Sequence, residues 1–530
     1  MRRLTYLEGF RGAVRRYPEA TALTTLDGRS LRYRELDERT DALAAALDDR
    51  LGDARCAGVM ANGIPAVESM LAAMKRRRAN VQLSNRAEAG GLASMVDTAE
   101  AAGLLFDETT ADRAAGVADR VDLEAAIGVG DAADSVDSAE RYEAVLDGAD
   151  GAYEPDPPGS DPPEAAVFFT SGTTGEPKAV LVDQEQTWLG ANQPALEMSL
   201  TASDRALVCT PWYHGVTTLA WILAHLLVGA ELVLQPAFEP EETLRALEAH
   251  DVTGLLAVPT QLETMLDAQE DVWADTEALS YIRTGGAVVP ERLIDDVAEA
   301  FTEGVFNTYG QTEAAINLSF AYPEEQDDHP GSIGKGTFLW ELRAVEPADP
   351  PAKPDPEALV EPGENGEIIA RGPRMIDGYI GRPEESEAIF IEDPTDEAGP
   401  GRWLRTGDVA RVDEDRHLVV IDRLDNMIIS GGENIYPEEV QRALKDHSGV
   451  VDAGVVGLPD ETWGQVVAAA VVAESGVTEE DLEEHCREHE TLSDFKRPRR
   501  YVILPTDEEL PRTATGTLRR GEVEDLFEDG

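Results

Sequence analysis

FFTSGTTGEPKAVLVD, residues 168–183, places a run of small and hydroxyl-bearing residues and one lysine between two apolar segments. Thr170, Ser171, Gly172, Thr173, Thr174 and Gly175 offer hydroxyls and unhindered backbone N–H groups, the equipment of an anion-binding nest. Lys178 adds the cation that phosphate requires. A Walker A loop needs Gly-Lys followed by Ser or Thr at the start of a helix. Here Pro177 precedes the lysine, Ala179 follows it and a strand pattern continues. The stretch is therefore a strand-loop-strand phosphate loop, suited to a nucleotide triphosphate.

Outward from this loop, residues 165–309 repeat strand and helix patterns: RALVCTPWY, the apolar helix after Gly215, AELVLQ, the helix after Pro240, VTGLLAVP and YIRTGGA. Alternation with crossover helices implies a mainly parallel sheet, whose ligands sit at the C-terminal ends of the strands. Upstream, TALTTLDGRSLRYRELDERTDALAAALDDR predicts a hairpin followed by a helix. In PAVESMLAAMKRRRA, helical spacing sets Val67, Met70, Leu71 and Met74 on one face. Residues 147–163, rich in Gly, Pro and Asp, predict a surface connection. The longest apolar run, Leu219 to Ala230, is too short to span a bilayer and predicts a buried helix. Beyond Asp422 the patterns describe a compact α+β unit. The fold class is α/β: a large N-terminal domain, 1–424, of mainly parallel sheets layered with helices, and a small α+β C-terminal domain, 425–530.

The loop SGTTGEPK resembles the signature phosphate loop of the adenylate-forming (AMP-binding) superfamily, which includes acyl-CoA synthetases, luciferases and peptide-synthetase adenylation domains. The resemblance covers nearly the whole chain. TPWYHGVTT from Thr210 is similar to the family's aromatic-His segment, and RTGGAVV from Arg283 to its Gly-Gly-Ala strand. TYGQTEA from Thr308 is similar to the adenine and magnesium segment, WLRTGDVARVDED from Trp403 to the ribose segment, and residues 422–440 to the segment that begins the small domain.

By this resemblance ATP, Mg2+ and coenzyme A are implied, together with a small carboxylic acid. Nucleotide contacts fall to Gly285, Gly286, Ala287, Asn307, Tyr309 and Gly310. Tyr309 stacks on adenine, Thr312 bonds phosphate or carboxylate, and Glu313 offers magnesium a hard oxygen. Asp408 accepts from the ribose hydroxyls and Arg423 binds ribose or phosphate oxygens. His214 lines the acyl pocket, with Trp212, Val216, Gly285 and Ala315 nearby. Ser430, Gly431 and Gly432 belong to a loop that forms the tunnel for CoA, on a mobile small domain pivoting at Asp425. The implied activity is an AMP-forming acid-CoA ligase of the acyl-CoA synthetase branch.

Near the C-terminus, LPRTATGTLRR runs from Leu510 to Arg520, and Thr517 stands where the family's catalytic lysine belongs. A neutral threonine cannot supply that cation, and losing one such partner costs on the order of 100- to 1000-fold in rate. Lys496, Arg519 and Arg520 are the neighbouring cations. Two other readings therefore stand beside the ligase: a nucleotide- or acyl-adenylate-binding homologue impaired in adenylation, and an adenylation enzyme serving a carrier protein.

Composition bounds the surroundings. Asp and Glu number 104 against 45 Lys and Arg, for a formal net charge of -59, which makes nucleic acid and anionic membranes poor partners. Lysine occurs at only six positions. Abundant acid with scarce lysine suggests adaptation to concentrated salt and resembles the cytoplasmic proteins of salt-loving archaea. Cys56, Cys209 and Cys486 form no disulfide framework, and the N-terminus lacks an apolar signal region, so a cytoplasmic location is expected. His485 and His489 stand at metal-ligand spacing on one predicted helix, but their uniformly acidic setting makes them solvated surface.

Overall fold

A computed structural model of the chain describes residues 4–149, 153, 162–170, 177–348, 352–373, 375–393, 401–431, 433–460, 462–489, 492–512 and 518–527. The chain divides into two compact units, residues 1–342 with 370–404, and residues 343–369 with 405–530.

Among the described residues, two large sheets organise the first unit. One runs in the order Glu140–Arg141, Ala125–Gly128, Ala101–Phe106, Arg55–Val59, Asn80–Gln82, Glu164–Thr170, Lys178–Asp183. Every pairing in it is parallel except the last, where Thr170 lies opposite Lys178 in antiparallel register. The two strands expected to flank the loop are therefore present and paired. The other sheet carries a parallel array of Val305–Tyr309, Tyr281–Gly285, Gly254–Leu256, Arg205–Val208, Glu231–Leu234 and Thr21–Thr25. The middle residues of these strands are buried, as expected where helices cover both faces of a parallel sheet.

The predicted hairpin forms as Thr21–Thr25 against Ser30–Arg32, followed by the helix Tyr33–Leu51. The helix Ile64–Lys75 differs from its expected single apolar face, because it is buried all round. Its polar groups are neutralised inside the core. Glu68 accepts from Arg39 and from the Tyr142 hydroxyl, while Lys75 pairs with Asp37 and Asp41. The apolar run after His214 is helical from Gly215 to Val228, with a π-helical turn at Thr218–Ile222. Among the described residues no helix is long and apolar enough to cross a membrane. Most of the predicted 147–163 connection lies outside the described residues.

In the second unit, Val450–Asp460 and Gly464–Ala473 pair antiparallel, and Arg500–Pro505 adds to the latter in parallel. Val467, Ala469 and Val471 face one apolar cluster while Val466, Ala468, Ala470 and Val472 face another. Both faces of the strand are thus covered, which explains its uninterrupted apolar run. The expected domain boundary at 424/425 falls inside this unit: Leu418–Arg423 pairs with residues 408–412, and Asp425 lies in the turn Leu424–Asn426 that follows.

Histidines 485 and 489 are not solvated surface. His485 Nε2 lies 2.8 Å from the Ala443 carbonyl and His489 Nε2 2.9 Å from Asp446 Oδ2. They fasten the helix Glu479–Glu488 to the helix Pro437–Lys445, with Cys486 buried between them.

Candidate active site

In the first unit the candidate residues collect where the parallel arrays predict, at strand C-terminal ends. Gly285 closes Tyr281–Gly285, Gly286 and Ala287 follow it, and Tyr309 closes Val305–Tyr309. The turn after Tyr309 is tightly constrained. A Cβ on Gly310 would lie 1.3 Å from the Ile316 carbonyl oxygen, so only glycine lets the two backbones cross. Ala315 and Ile316 adopt left-handed φ values of 49° and 95°. For a β-branched residue this conformation is strained, and such strain concentrates at functional sites. The turn Thr312–Ala314 that presents Thr312 and Glu313 lies between these fixed points.

Lys178 opens its strand directly after the phosphate loop. Its ammonium lies 2.7 Å from Glu385 Oε2 and 5.0 Å from the centroid of the Tyr379 ring. The Tyr379 hydroxyl donates to Glu313 Oε1 at 2.7 Å. One tyrosine therefore joins the phosphate-loop lysine, by its ring face, to the candidate magnesium ligand, by its hydroxyl. Lys178 holds the Glu385 carboxyl below the usual carboxylate range. Tyr379 and Glu385 went unnoticed in the sequence. The signal available was GYIGRPEES at 378–386, in which a tyrosine follows a glycine and an acidic helix start follows a proline.

Arg283, in the Gly-Gly-Ala segment, is fully buried and held by neutral partners: Thr308 Oγ1, the Ala220 carbonyl and Asn317 Oδ1. Burial pushes its guanidinium down to about 9. It ties the strand Tyr281–Gly285 to the strand Val305–Tyr309.

His214 caps the helix that begins at Gly215, and its ring centroid lies 4.7 Å from that of Tyr213. Burial, with Arg86 adding repulsion, pushes its imidazole down to about 4, so it is neutral near pH 7. Val216 follows it, partly buried against the core. Trp212 is locked within that core, its indole donating to the Met60 carbonyl at 2.8 Å. Asn307 is held in place by the fold. It is buried, and its amide donates to the Ser332 carbonyl at 2.8 Å.

In the second unit Asp408 accepts from Arg423 Nη1 at 3.0 Å, a pair set up by their antiparallel register. Ser430 ends the strand Ile428–Ser430 and pairs with Glu433. Gly431 has φ 62°, and a Cβ there would lie 2.6 Å from the Trp463 ring. The cations that neighbour position 517 in the sequence each have a partner. Lys496 lies 2.6 Å from Glu439, Arg519 lies 2.8 Å from Glu522, and Arg520 donates to the Val455 carbonyl at 2.5 Å. Ser171, Gly172, Thr173, Thr174, Gly175, Gly432 and Thr517 lie outside the described residues, while Thr170 ends the strand Glu164–Thr170.

The family model described as AMP-binding enzyme matches residues 10–380, and the model for the AMP-binding enzyme C-terminal domain matches residues 439–517. A 2-succinylbenzoate–CoA ligase of Bacillus mycoides (strain KBAB4) is 34% identical over 363 residues, covering 68% of this chain and 70% of the relative. Among solved structures, o-succinylbenzoate CoA synthetase from Bacillus subtilis in complex with the acyl-adenylate intermediate is similar with a TM-score of 0.83 and 27% identity, over 99% of each chain. The same enzyme in complex with ATP and magnesium ion gives a TM-score of 0.79 at 27% identity, over 98% of this chain and 99% of that one.

Proposed function

Because the chain belongs to the AMP-binding enzyme family, we propose that it is an ATP-dependent acid-CoA ligase. A carboxylate oxygen attacks the α-phosphorus of ATP and pyrophosphate leaves. The CoA sulfur then attacks the acyl carbon, the C–O bond to AMP breaks, and the thiol proton passes to solvent. The observation that carries this reading is the joining of Lys178 and Glu313 through Tyr379.

Each residue has a task that its surroundings support. Lys178 offers its charge to the phosphates at the foot of the loop, where Thr170 through Gly175 supply hydroxyls and backbone N–H groups. Tyr309 and the close backbone crossing at Gly310 give adenine a fixed edge to lie against. Thr312 orients the attacking carboxylate. Glu313 fits magnesium, being a hard oxygen donor whose orientation is fixed by the Tyr379 hydroxyl. When bound, that ion neutralises charge on the phosphate oxygens. His214, neutral at physiological pH, shapes the acyl pocket without adding charge to it. Asp408 and Arg423 serve the ribose. Gly431, with neighbouring Ser430 and Gly432, lets the pantetheine arm of CoA approach the backbone closely, with Asp425 as the pivot between half-reactions.

2-Succinylbenzoate heads the panel of candidate acids, because the curated relatives carry that name. We place the enzyme in a salt-rich cytoplasm: the acidic composition and the three free, buried cysteines support that setting. The test is an assay in concentrated KCl with ATP, Mg2+, CoA and a panel of acids, following AMP and thioester together. Absence of both across the panel overturns the proposal.

A second reading has its own observation. With Thr517 neutral and Lys496 and Arg519 each held by a carboxylate, the chain is suited to bind nucleotide or acyl-adenylate while adenylating slowly. The Thr517→Lys variant separates the two readings.

A further inference from the structure

The segment 376–386 is fastened to the strand that carries Lys178. Tyr379 forms an antiparallel bridge with Val180, and the Ile380 N–H donates to the Ala179 carbonyl at 2.9 Å. Within the segment, the Tyr379 N–H donates to Ser386 Oγ at 2.8 Å, and Ser386 Oγ donates to the Arg382 carbonyl at 2.6 Å. This stapling fixes Glu385. One carboxylate oxygen lies 2.7 Å from Lys178 Nζ, and the other accepts from Arg382 Nη1 at 3.3 Å.

Lys178 is thus drawn to a carboxylate at the foot of the phosphate loop. The side chain of Glu385 is 30% exposed, and an ion pair in contact with water is weak. The ring face of Tyr379 adds a modest, sequence-neutral attraction for the ammonium. Both contacts therefore hold the lysine in place and yield to a stronger anion. A triphosphate carries more charge than one carboxylate and accepts charge-assisted hydrogen bonds at several oxygens.

We infer that Glu385 is a positioning residue for Lys178, a carboxylate placeholder that holds the ammonium over Tyr379 until nucleotide phosphate displaces it. The inference rests on the reading of this site as a nucleotide site. It assigns to Glu385 a cost: the nucleotide must take the lysine from a standing partner, so the carboxylate weakens ATP binding while keeping the lysine's geometry ready.

Calorimetric titration of the full-length protein with ATP and Mg2+, at low and high KCl, tests this. Glu385→Gln is expected to lower the Kd for ATP about fivefold at low salt, and the gain shrinks as salt screens the pair. Glu385→Asp, which keeps the charge, binds ATP as the wild type does. Glu384→Gln removes an equal charge from the exposed neighbouring position and leaves the Kd unchanged. In turnover, the Glu385→Gln gain falls on KM for ATP and leaves kcat unchanged. An unaltered or weakened affinity in Glu385→Gln overturns the placeholder, as does an equal gain in Glu384→Gln, which would mean general charge repulsion. A wild type that binds no ATP overturns the nucleotide reading and the placeholder with it, whereas ATP binding by the wild type beside an unresponsive Glu385→Gln overturns the placeholder alone.

Discussion

Lys75 and Lys178 both lie shielded from solvent beside carboxylates, yet their neighbourhoods are built to opposite ends. The Lys75 ammonium is fully buried, with Asp37 Oδ1 and the Asp37 carbonyl at 2.7 Å and Asp41 Oδ1 at 2.6 Å. Its three N–H donors are matched by three acceptors. Lys178 keeps 16% of its side chain exposed and, among the described residues, lies against one partly exposed carboxylate and an aromatic face. A saturated cation locks two helices together, whereas one that meets, among the described residues, a single carboxylate and an aromatic face beside a candidate phosphate loop retains capacity for a ligand. In a chain with six lysines and 104 acidic residues, pairing by itself carries little information. The number and quality of the partners separate scaffold from site.

The sharpest way to break this contrast is to remove each lysine. Lys178→Ala should lower the rate of AMP formation about 100- to 1000-fold, read by nucleotide chromatography. Its thermal midpoint should move by no more than about 2 °C, since a single pair still partly open to water contributes little stability. Lys75→Ala should do the reverse. Leaving Asp37 and Asp41 without their cation should cost about 2 to 3 kcal/mol in urea unfolding, reduced from the fully buried case by the partial exposure of both carboxylates. The folded fraction should keep its turnover. Equal stability losses in the two variants would erase the distinction.

A third comparison adds a cation rather than removing one. Thr517→Lys should raise the rate of adenylate formation by about tenfold or more, while thioester formation from a synthetic acyl-adenylate stays at the wild-type rate. No gain would mean that adenylation in this chain does not depend on a cation at position 517.

Where the sequence was legible, the reason is local. The two strands around the Lys178 loop could be read because they are contiguous with it in sequence. The parallel sheets could be read from the alternation of strand and helix patterns, and a strand covered on both faces from an unbroken apolar run such as GQVVAAAVVA. What escaped depends on pairing across long separations. Tyr379 reaches Glu313 across 66 residues, and no spacing rule links them. The helix Ile64–Lys75 displayed an apolar face in sequence, but its polar residues find their partners from Asp37 to Tyr142 and are buried as well. His485 and His489 looked solvated among acidic neighbours until their acceptors, Ala443 and Asp446, came from another helix.

The central claim is that the chain cleaves ATP between its α- and β-phosphates to activate an acid for transfer to CoA. Incubating the protein in concentrated KCl with α-labelled ATP, Mg2+, CoA and 2-succinylbenzoate among a panel of acids tests it most directly. The account predicts labelled AMP and acyl-CoA in equal amounts, dependent on both the acid and Lys178. Labelled ADP in place of AMP, or AMP released without any thioester in the presence of CoA, would contradict it.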